Sequence, residues 1–260
     1  MYLPIPTQPD CATAWREAVR AVLAHGHEAQ NVIIDIADPL AASAPDDPVV
    51  ACMNGYLKSK GRKTVETVAN TIFPAALYRL HGAPAFYDRF MKRVLPAAGK
   101  GERWSGYYFE RMINMHAPDG AVINQLADIT DRLSDPKVTA RNKFELSIFD
   151  PVRDVSRVSY GGQCLSHGSF KLRKSLQGDL LDLTVMYRNH FYVEKLLGNL
   201  IGLGRLMAFV AKEGGVGVGT LTVISTHACI DLPESKTEAG NATLVEVRAL
   251  LASCDALVAG

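Results

Sequence analysis

The chain is short of cysteine, with five in 260 residues, at positions 11, 52, 164, 229 and 254, and no pair at CxxC spacing. An odd, scattered set of thiols excludes a disulfide framework, offers no zinc knuckle and predicts a reducing, cytoplasmic setting. A surplus of one charge is also missing. The 28 Lys and Arg against 27 Asp and Glu leave a formal net charge of +1, which gives no general electrostatic reason to hold a nucleic-acid polymer or an anionic membrane. No apolar run approaches the roughly 18 residues of a membrane-spanning helix. The opening MYLPIPTQPDCATAW lacks the basic-then-apolar order of a signal peptide, so none is expected. No internal repeat or low-complexity tract is visible. Apolar residues are plentiful, 48% of the chain at a mean hydropathy of +0.03. That bounds the molecule to a globular protein able to bury its core without staples, as one large domain or two small ones.

Local patterns predict the elements. Residues 10–25 place apolar side chains at helical spacing behind Asp10, a candidate N-cap. Residues 38–48 (DPLAASAPDDP) read as a loop ahead of the main body, and 31–36 as a short strand. Helices are predicted over 64–81, kinked or ended by Pro74, over 84–94, and over 123–133, closed by Asp135-Pro136. The second half changes character. Residues 143–149 read as a strand, and 169–176 and 180–188 as a hairpin about Gln177-Gly178-Asp179. A long helix over 192–212 follows, and 219–230 is a β-branched, buried strand. Helices interspersed with strands and one hairpin define an α+β or mixed α/β layer.

Three positions carry candidate chemistry. Cys164, in Gly161-Gly162-Gln163-Cys164-Leu165-Ser166-His167, follows a glycine-containing loop and precedes a strand. A thiolate there is a candidate nucleophile, with His167 or Arg188 as candidate activating cations; the alternative is a small core thiol. Tyr187-Arg188-Asn189-His190 ends a strand with four hydrogen-bonding side chains, and an Arg in that place suits bidentate grip on phosphate, or is simply solvated. Asn199 sits in a helix lined by Leu196, Leu197, Leu200 and Leu203. Its amide offers a donor and an acceptor to the edge of a base, or serves as a structural amide. The run 214–219 (GGVGVG) follows a helix and lacks the Lys-Ser/Thr of a phosphate loop, so it reads as a flexible connection. Cys52, Cys229 and Cys254 read as structural. His25 and His27 are as suited to capping the first helix as to binding, and Arg89, Lys92, Arg93, Lys100 and Arg103 as a solvated helix face.

In combination, residues 123–231 resemble the thymidylate synthase and pyrimidine hydroxymethylase family. The order carries the resemblance: a helix ending in a Pro turn, a basic segment (Arg141-Asn142-Lys143) entering a strand, Gln163-Cys164 before the next strand, and a hairpin ending in Tyr187-Arg188-Asn189. Asn199 stands eleven residues beyond Arg188, and a glycine-rich turn leads to a strand with Thr226-His227. Residues 64–111 fit more loosely, with Glu66 resembling the family's helical Glu and Tyr107 or Tyr108, the latter preferred, its site Tyr.

The resemblance implies an α+β fold of thymidylate synthase type, a three-layer mixed sheet packed by helices and dimerising through a sheet face. It implies one domain over 1–260, with 1–48 a divergent N-terminal segment. It further implies a homodimeric transferase that modifies carbon 5 of a pyrimidine nucleoside monophosphate, dUMP or UMP, by methylation or hydroxymethylation. The one-carbon unit would come from 5,10-methylenetetrahydrofolate, without a metal. Cys164 would be the nucleophile, Glu66 and Tyr108 the other catalytic groups. Arg188, Asn189, Arg141, Lys143 and Gln163 would bind phosphate and substrate, Asn199 the base and His227 the sugar. The departures are also specific. Gln163-Cys164-Leu165 replaces Pro-Cys-His, the Arg-containing N-terminal phosphate loop is not found, the pterin-contacting Asp falls at Phe191, the sugar-binding Tyr at Cys229, and the tail 255–260 lacks the family's apolar closing segment. Nucleotide binding is therefore better supported than folate binding. The rival expectation is a protein that keeps the fold and the nucleotide but has lost catalysis.

Overall fold

A computed structural model describes residues 2–98, 106–155, 157, 161–231 and 243–258. Along the chain the elements are β1 (Leu3–Gln8), α1 (Cys11–Ala24), β2 (Glu28–Ile36), α2 (Pro48–Ser59), α3 (Val65–Ile72), α4 (Ala75–His81) and α5 (Ala85–Arg89). A π-helical turn (Phe90–Val94), α6 (Leu95–Ala97), α7 (Tyr108–Ile113), β3 (Met115–His116), β4 (Val122–Ile123), α8 (Gln125–Ser134), β5 (Phe144–Ser147) and α9 (Pro151–Asp154) come next. The remainder is β6 (Leu165–Ser175), β7 (Gly178–Tyr187), β8 (His190–Phe191), α10 (Leu196–Gly214), β9 (Gly217–Cys229) and α11 (Leu244–Val258). The class is α+β with mixed strand pairing. The chain divides into two compact units: Met1–Ala69, Tyr187–Gly204 and Thr220–Gly260 form one, and Asn70–Met186 with Arg205–Gly219 the other.

In the first unit β1 pairs parallel to β2, β2 antiparallel to β9, and β8 parallel to β9. The register sets the two faces, because successive strand residues point to opposite sides. Val32, Ile34 and Ile36 oppose Ser225, Val223 and Leu221, and all six are buried. The other face carries the pairs Ile33–Ile224 and Asp35–Thr222, where Asp35 accepts hydrogen bonds from Thr7 at 2.8 Å and Thr222 at 3.0 Å. Helix α1 begins where Asp10 accepts from the Thr13 amide at 2.7 Å and buries Trp15, Ala18, Val19 and Val22. The Trp15 indole donates to the Tyr192 carbonyl at 2.9 Å. The segment 1–48 thus supplies two strands and a core helix to this unit.

Helix α10 approaches its neighbours closely at two of its glycines. A β-carbon on Gly204 would lie 2.2 Å from the Pro39 carbonyl oxygen, and one on Gly198 would lie 2.6 Å from the Val68 β-carbon and 2.9 Å from the Val65 carbonyl oxygen.

In the second unit β5 pairs antiparallel to β6, and β6 turns into β7, where the Ser175 hydroxyl donates to the Gly178 carbonyl at 2.7 Å. Its core is aromatic. Phe73, Tyr78, Phe86, Phe109 and Phe209 meet at centroid separations of 4.9 to 5.9 Å, mostly edge-to-face, the arrangement the ring quadrupole favours. Beside it Arg111, 3% exposed, donates to Asp154 at 2.8 Å and 3.3 Å, while Arg153 donates to Glu110 at 3.1 Å and 3.3 Å. The Arg111, Asp154 and Glu110 side chains are buried charges, tolerable only when paired and hydrogen-bonded.

Several boundaries differ from the sequence reading for identifiable reasons. Of the two expectations at Pro74, a kink or an end, the structure has the end: α3 stops at Ile72, and Pro74 is the N-cap of α4. The helix expected from 192 begins at Leu196, because the Tyr192 amide donates to the Cys229 carbonyl and its own carbonyl accepts from Trp15. The loop over 38–48 gives way to α2, whose start is fixed by Asp47 accepting from Val49 and Val50 and by Pro48 in the first turn. Lys100 and Arg103 of the basic cluster fall outside the described residues.

Candidate functional site

In the first unit the end of β7 passes directly into β8, and the crossing to β9 is pinned by side chains. The Thr226 hydroxyl donates to the carbonyls of Arg188 at 3.0 Å and Tyr187 at 3.2 Å. His227 Nδ1 donates to the Asn189 amide oxygen at 2.7 Å, while its Nε2 lies 3.7 Å from Glu28. The exposed Arg188 is thereby held at a strand end by backbone contacts.

Behind this edge lies a buried polar network that sequence reasoning missed. His190 was legible as one of four polar residues at the strand end, but it is 1% exposed. Its ring stacks on Tyr187 at 4.0 Å. Burial pushes the imidazole down to about 3, so it is neutral near pH 7. A neutral ring has one donor and one acceptor nitrogen. Nδ1 therefore donates to Ser225 Oγ at 3.0 Å and Nε2 accepts from the Asn199 amide nitrogen at 2.9 Å. The Tyr192 hydroxyl donates to the same Ser225 oxygen at 3.2 Å. Asn199 is 3% exposed, and its Oδ1 is a buried acceptor with no hydrogen-bond partner among the described residues. A hint was available, an imidazole placed between Tyr187 and Tyr192 and opposite a β-branched strand.

The network sets a pH response. A base whose pKa is depressed from the ordinary 6.5 to about 3 on folding binds fewer protons folded than unfolded between those values. The stability it supplies is complete above 6.5 and is lost as pH falls toward 3, by at most about 1.4 kcal/mol per pH unit. Asp231, which accepts from the amides of Glu194 and Val193, is raised by burial to about 7 and contributes the opposite slope. The difference isolates the histidine. In urea titrations at pH 7.0 and 5.0, His190→Gln should lose less stability on acidification than the parent, by about 2 kcal/mol. Parallel slopes for the two proteins would contradict a neutral buried imidazole.

The remaining candidates lie elsewhere. Glu66 is half-buried in the first turn of α3 in the first unit. Cys164, Gln163, Tyr108, Arg141 and Lys143 belong to the second unit. Cys164 is half-buried in the residue before β6. Gln163 is 1% exposed, and its Nε2 would lie 3.3 Å from a β-carbon on Gly106. Gly106 has φ of +88°, a conformation costly for other residues, so the loop before Tyr108 packs on the residue before the thiol. Tyr108 is half-buried at the start of α7. Arg141 pairs bidentately with Asp179 at 2.8 Å and 2.7 Å, which holds that carboxyl below its ordinary range. Lys143 is exposed, and its carbonyl accepts from Arg132. Among the described residues no helix is long and apolar enough to cross a membrane, and no group of His, Cys, Asp and Glu could hold a metal ion.

No family model matches the chain. A protein of Methanococcoides burtonii named "Putative thymidylate synthase" is 29% identical over 123 residues, covering 47% of this chain and 51% of that protein. The match therefore spans about half of each, and supports a distant relationship to proteins of that kind.

Proposed function

We propose that the protein is a transferase that modifies carbon 5 of a pyrimidine nucleoside monophosphate, dUMP or UMP, through a covalent adduct on Cys164. The observation that carries the nucleotide half of this reading is the strand end where Arg188, Asn189 and His227 are fixed together, with Asn199 behind them. Arg188 offers a planar fork for phosphate. Asn189 keeps its amide nitrogen for the same anion, since its oxygen is taken by His227, and His227 would contact the sugar. The unpartnered Asn199 oxygen is an acceptor for the N3–H of uracil, which cytosine lacks. A buried acceptor without a donor costs free energy until it is satisfied.

Carbon 5 of uracil is weakly nucleophilic. When the Cys164 thiolate adds to carbon 6, a sulfur–carbon bond forms and the ring π pair moves onto O4 as an enolate. Carbon 5 can then bond to an electrophile. Loss of its proton to a base, the role assigned to Glu66 with water, and expulsion of the thiolate restore the ring double bond. Tyr108 is assigned to the same proton network, Gln163 and Lys143 to substrate contacts, and Arg141 to phosphate, where it would have to leave Asp179.

A folate would supply the one-carbon unit in such chemistry. The residues described do not fit its pterin in the family's manner, since Phe191, 38% exposed, stands where a carboxylate would be. The chemistry assigned to this chain is therefore activation of carbon 5, removal of its proton and expulsion of the thiolate. We also read 1–260 as one domain of thymidylate synthase type, paired with a second copy through the sheet face carrying Ile33 and Ile224.

Thermal-shift titrations with dUMP, UMP, dCMP and CMP test the binding half. The uracil nucleotides should stabilise the protein most. Arg188→Ala should weaken them by about tenfold or more, as loss of a charge-assisted pair implies. Asn199→Asp should weaken uracil binding and move preference toward cytosine. No shift with any of the four nucleotides would overturn the reading.

A further inference from the structure

Outside the proposed site, two thiols of the first unit meet between helices α2 and α11. The helices pack together, and two contacts fix their register. Lys60, capping α2, donates to Glu246 in the first turn of α11. Cys52 is also among the near neighbours that act on the Cys254 thiol. From 60 back to 52 and from 246 on to 254 is the same count of residues in opposite directions, about 12 Å along either axis at the usual rise. The helices therefore run antiparallel with both contacts in one register, and the sulfur pair belongs to the packing. Cys254 is fully buried, whereas Cys52 is half-buried. The more exposed Cys52 is the sulfur a soluble oxidant reaches first, with Cys254 beside it as the resolving thiol.

We propose that Cys52 and Cys254 are an oxidisable dithiol, a modification site at which a peroxide joins the C-terminal helix covalently to α2. Cys52, as thiolate, attacks one peroxide oxygen. The O–O bond breaks, a sulfur–oxygen bond forms, and hydroxide leaves and is protonated to water. The Cys254 sulfur then attacks the resulting sulfenic sulfur, gives up its proton and displaces a second water. Two thiols are oxidised by two electrons and one hydrogen peroxide is reduced to two waters. A thiol reductant reverses the bond.

The test is made on the whole protein treated with hydrogen peroxide, then alkylated and digested with trypsin without reduction. The five cysteines fall on five different tryptic peptides, with Cys52 on 21–58 and Cys254 on 249–260, so a linked pair is unambiguous. The expected result is a 21–58 to 249–260 crosslink at a mass two hydrogens below the reduced sum, lost on adding dithiothreitol. Oxidised protein should also melt several degrees higher than reduced protein, a shift absent in Cys52→Ser. Recovery of 52 and 254 as separate alkylated or over-oxidised peptides, or a crosslink to another cysteine instead, would overturn the proposal.

Discussion

Cys164→Ser should abolish release of tritium from carbon 5 of 5-tritiated dUMP or UMP, with a fall of about 1,000-fold or more relative to the parent protein. The size follows from the chemistry. Tritium leaves only after carbon 5 has been made nucleophilic, and that requires addition of an anionic nucleophile to carbon 6. A thiol of ordinary pKa, about 8.5, is a few per cent ionised at neutral pH and is strongly nucleophilic, whereas a serine hydroxyl offers almost no anion. The substitution removes one atom's character and little volume, so binding of the uracil nucleotide should persist. A variant that binds the nucleotide as the parent does while losing tritium release places the defect in the chemical step. Retained release would remove Cys164 from the mechanism.

Gly204→Ala should be among the most damaging single substitutions in the first unit, costing about 3 kcal/mol or more in urea unfolding. The β-carbon would sit 2.2 Å from the Pro39 carbonyl oxygen, and neither partner can yield by a rotamer change. One is helix backbone and the other is a peptide group whose loop is anchored by the Cys11 thiol donating to that carbonyl. Relief would require α10 to lift, and with it Asn199 and the His190 network. Gly55→Ala in α2 is the matched control. A β-carbon there meets nothing within 4 Å, so the ordinary helix preference for alanine over glycine should leave the protein equally stable, or more so by up to about 1 kcal/mol. Equal losses at both positions would show that close approach of the Pro39 loop does not set the cost.

How far these features could be read from the sequence depends on their range. The strand over 219–230 and the hairpin about Gly178 were legible because β-branched runs and turn residues act locally, and they correspond to β9, β6 and β7. Strand β1 was obscured by Pro4 and Pro6, which argue against a central strand but are tolerated at an edge such as this one, paired among the described residues only with β2. Helix α2 carried its own start signal in Asp47-Pro48, hidden inside a stretch whose composition reads as loop. The candidate site divides the same way. Arg188, Asn189 and Asn199 stood out by type and spacing. That His190 is buried and neutral, holding the Asn199 amide by one nitrogen and Ser225 by the other, depends on residues up to 35 positions apart. No local pattern reports such a pairing. Likewise the bidentate partner of Arg141 lies 38 residues away.

In the proposed reaction the Cys164 sulfur bonds to carbon 6 of a uracil nucleotide. Intact-protein and peptide mass spectrometry after incubation with 5-fluoro-dUMP, with and without methylenetetrahydrofolate, tests it most directly. Fluorine at carbon 5 cannot leave as a proton does, so the adduct accumulates. The expected result is a protein heavier by the nucleotide, or by the nucleotide and folate together, with the added mass on the 158–171 tryptic peptide that carries Cys164 and none in Cys164→Ser. Unmodified protein under conditions where the nucleotide demonstrably binds would contradict it and leave a nucleotide-binding protein without this catalysis.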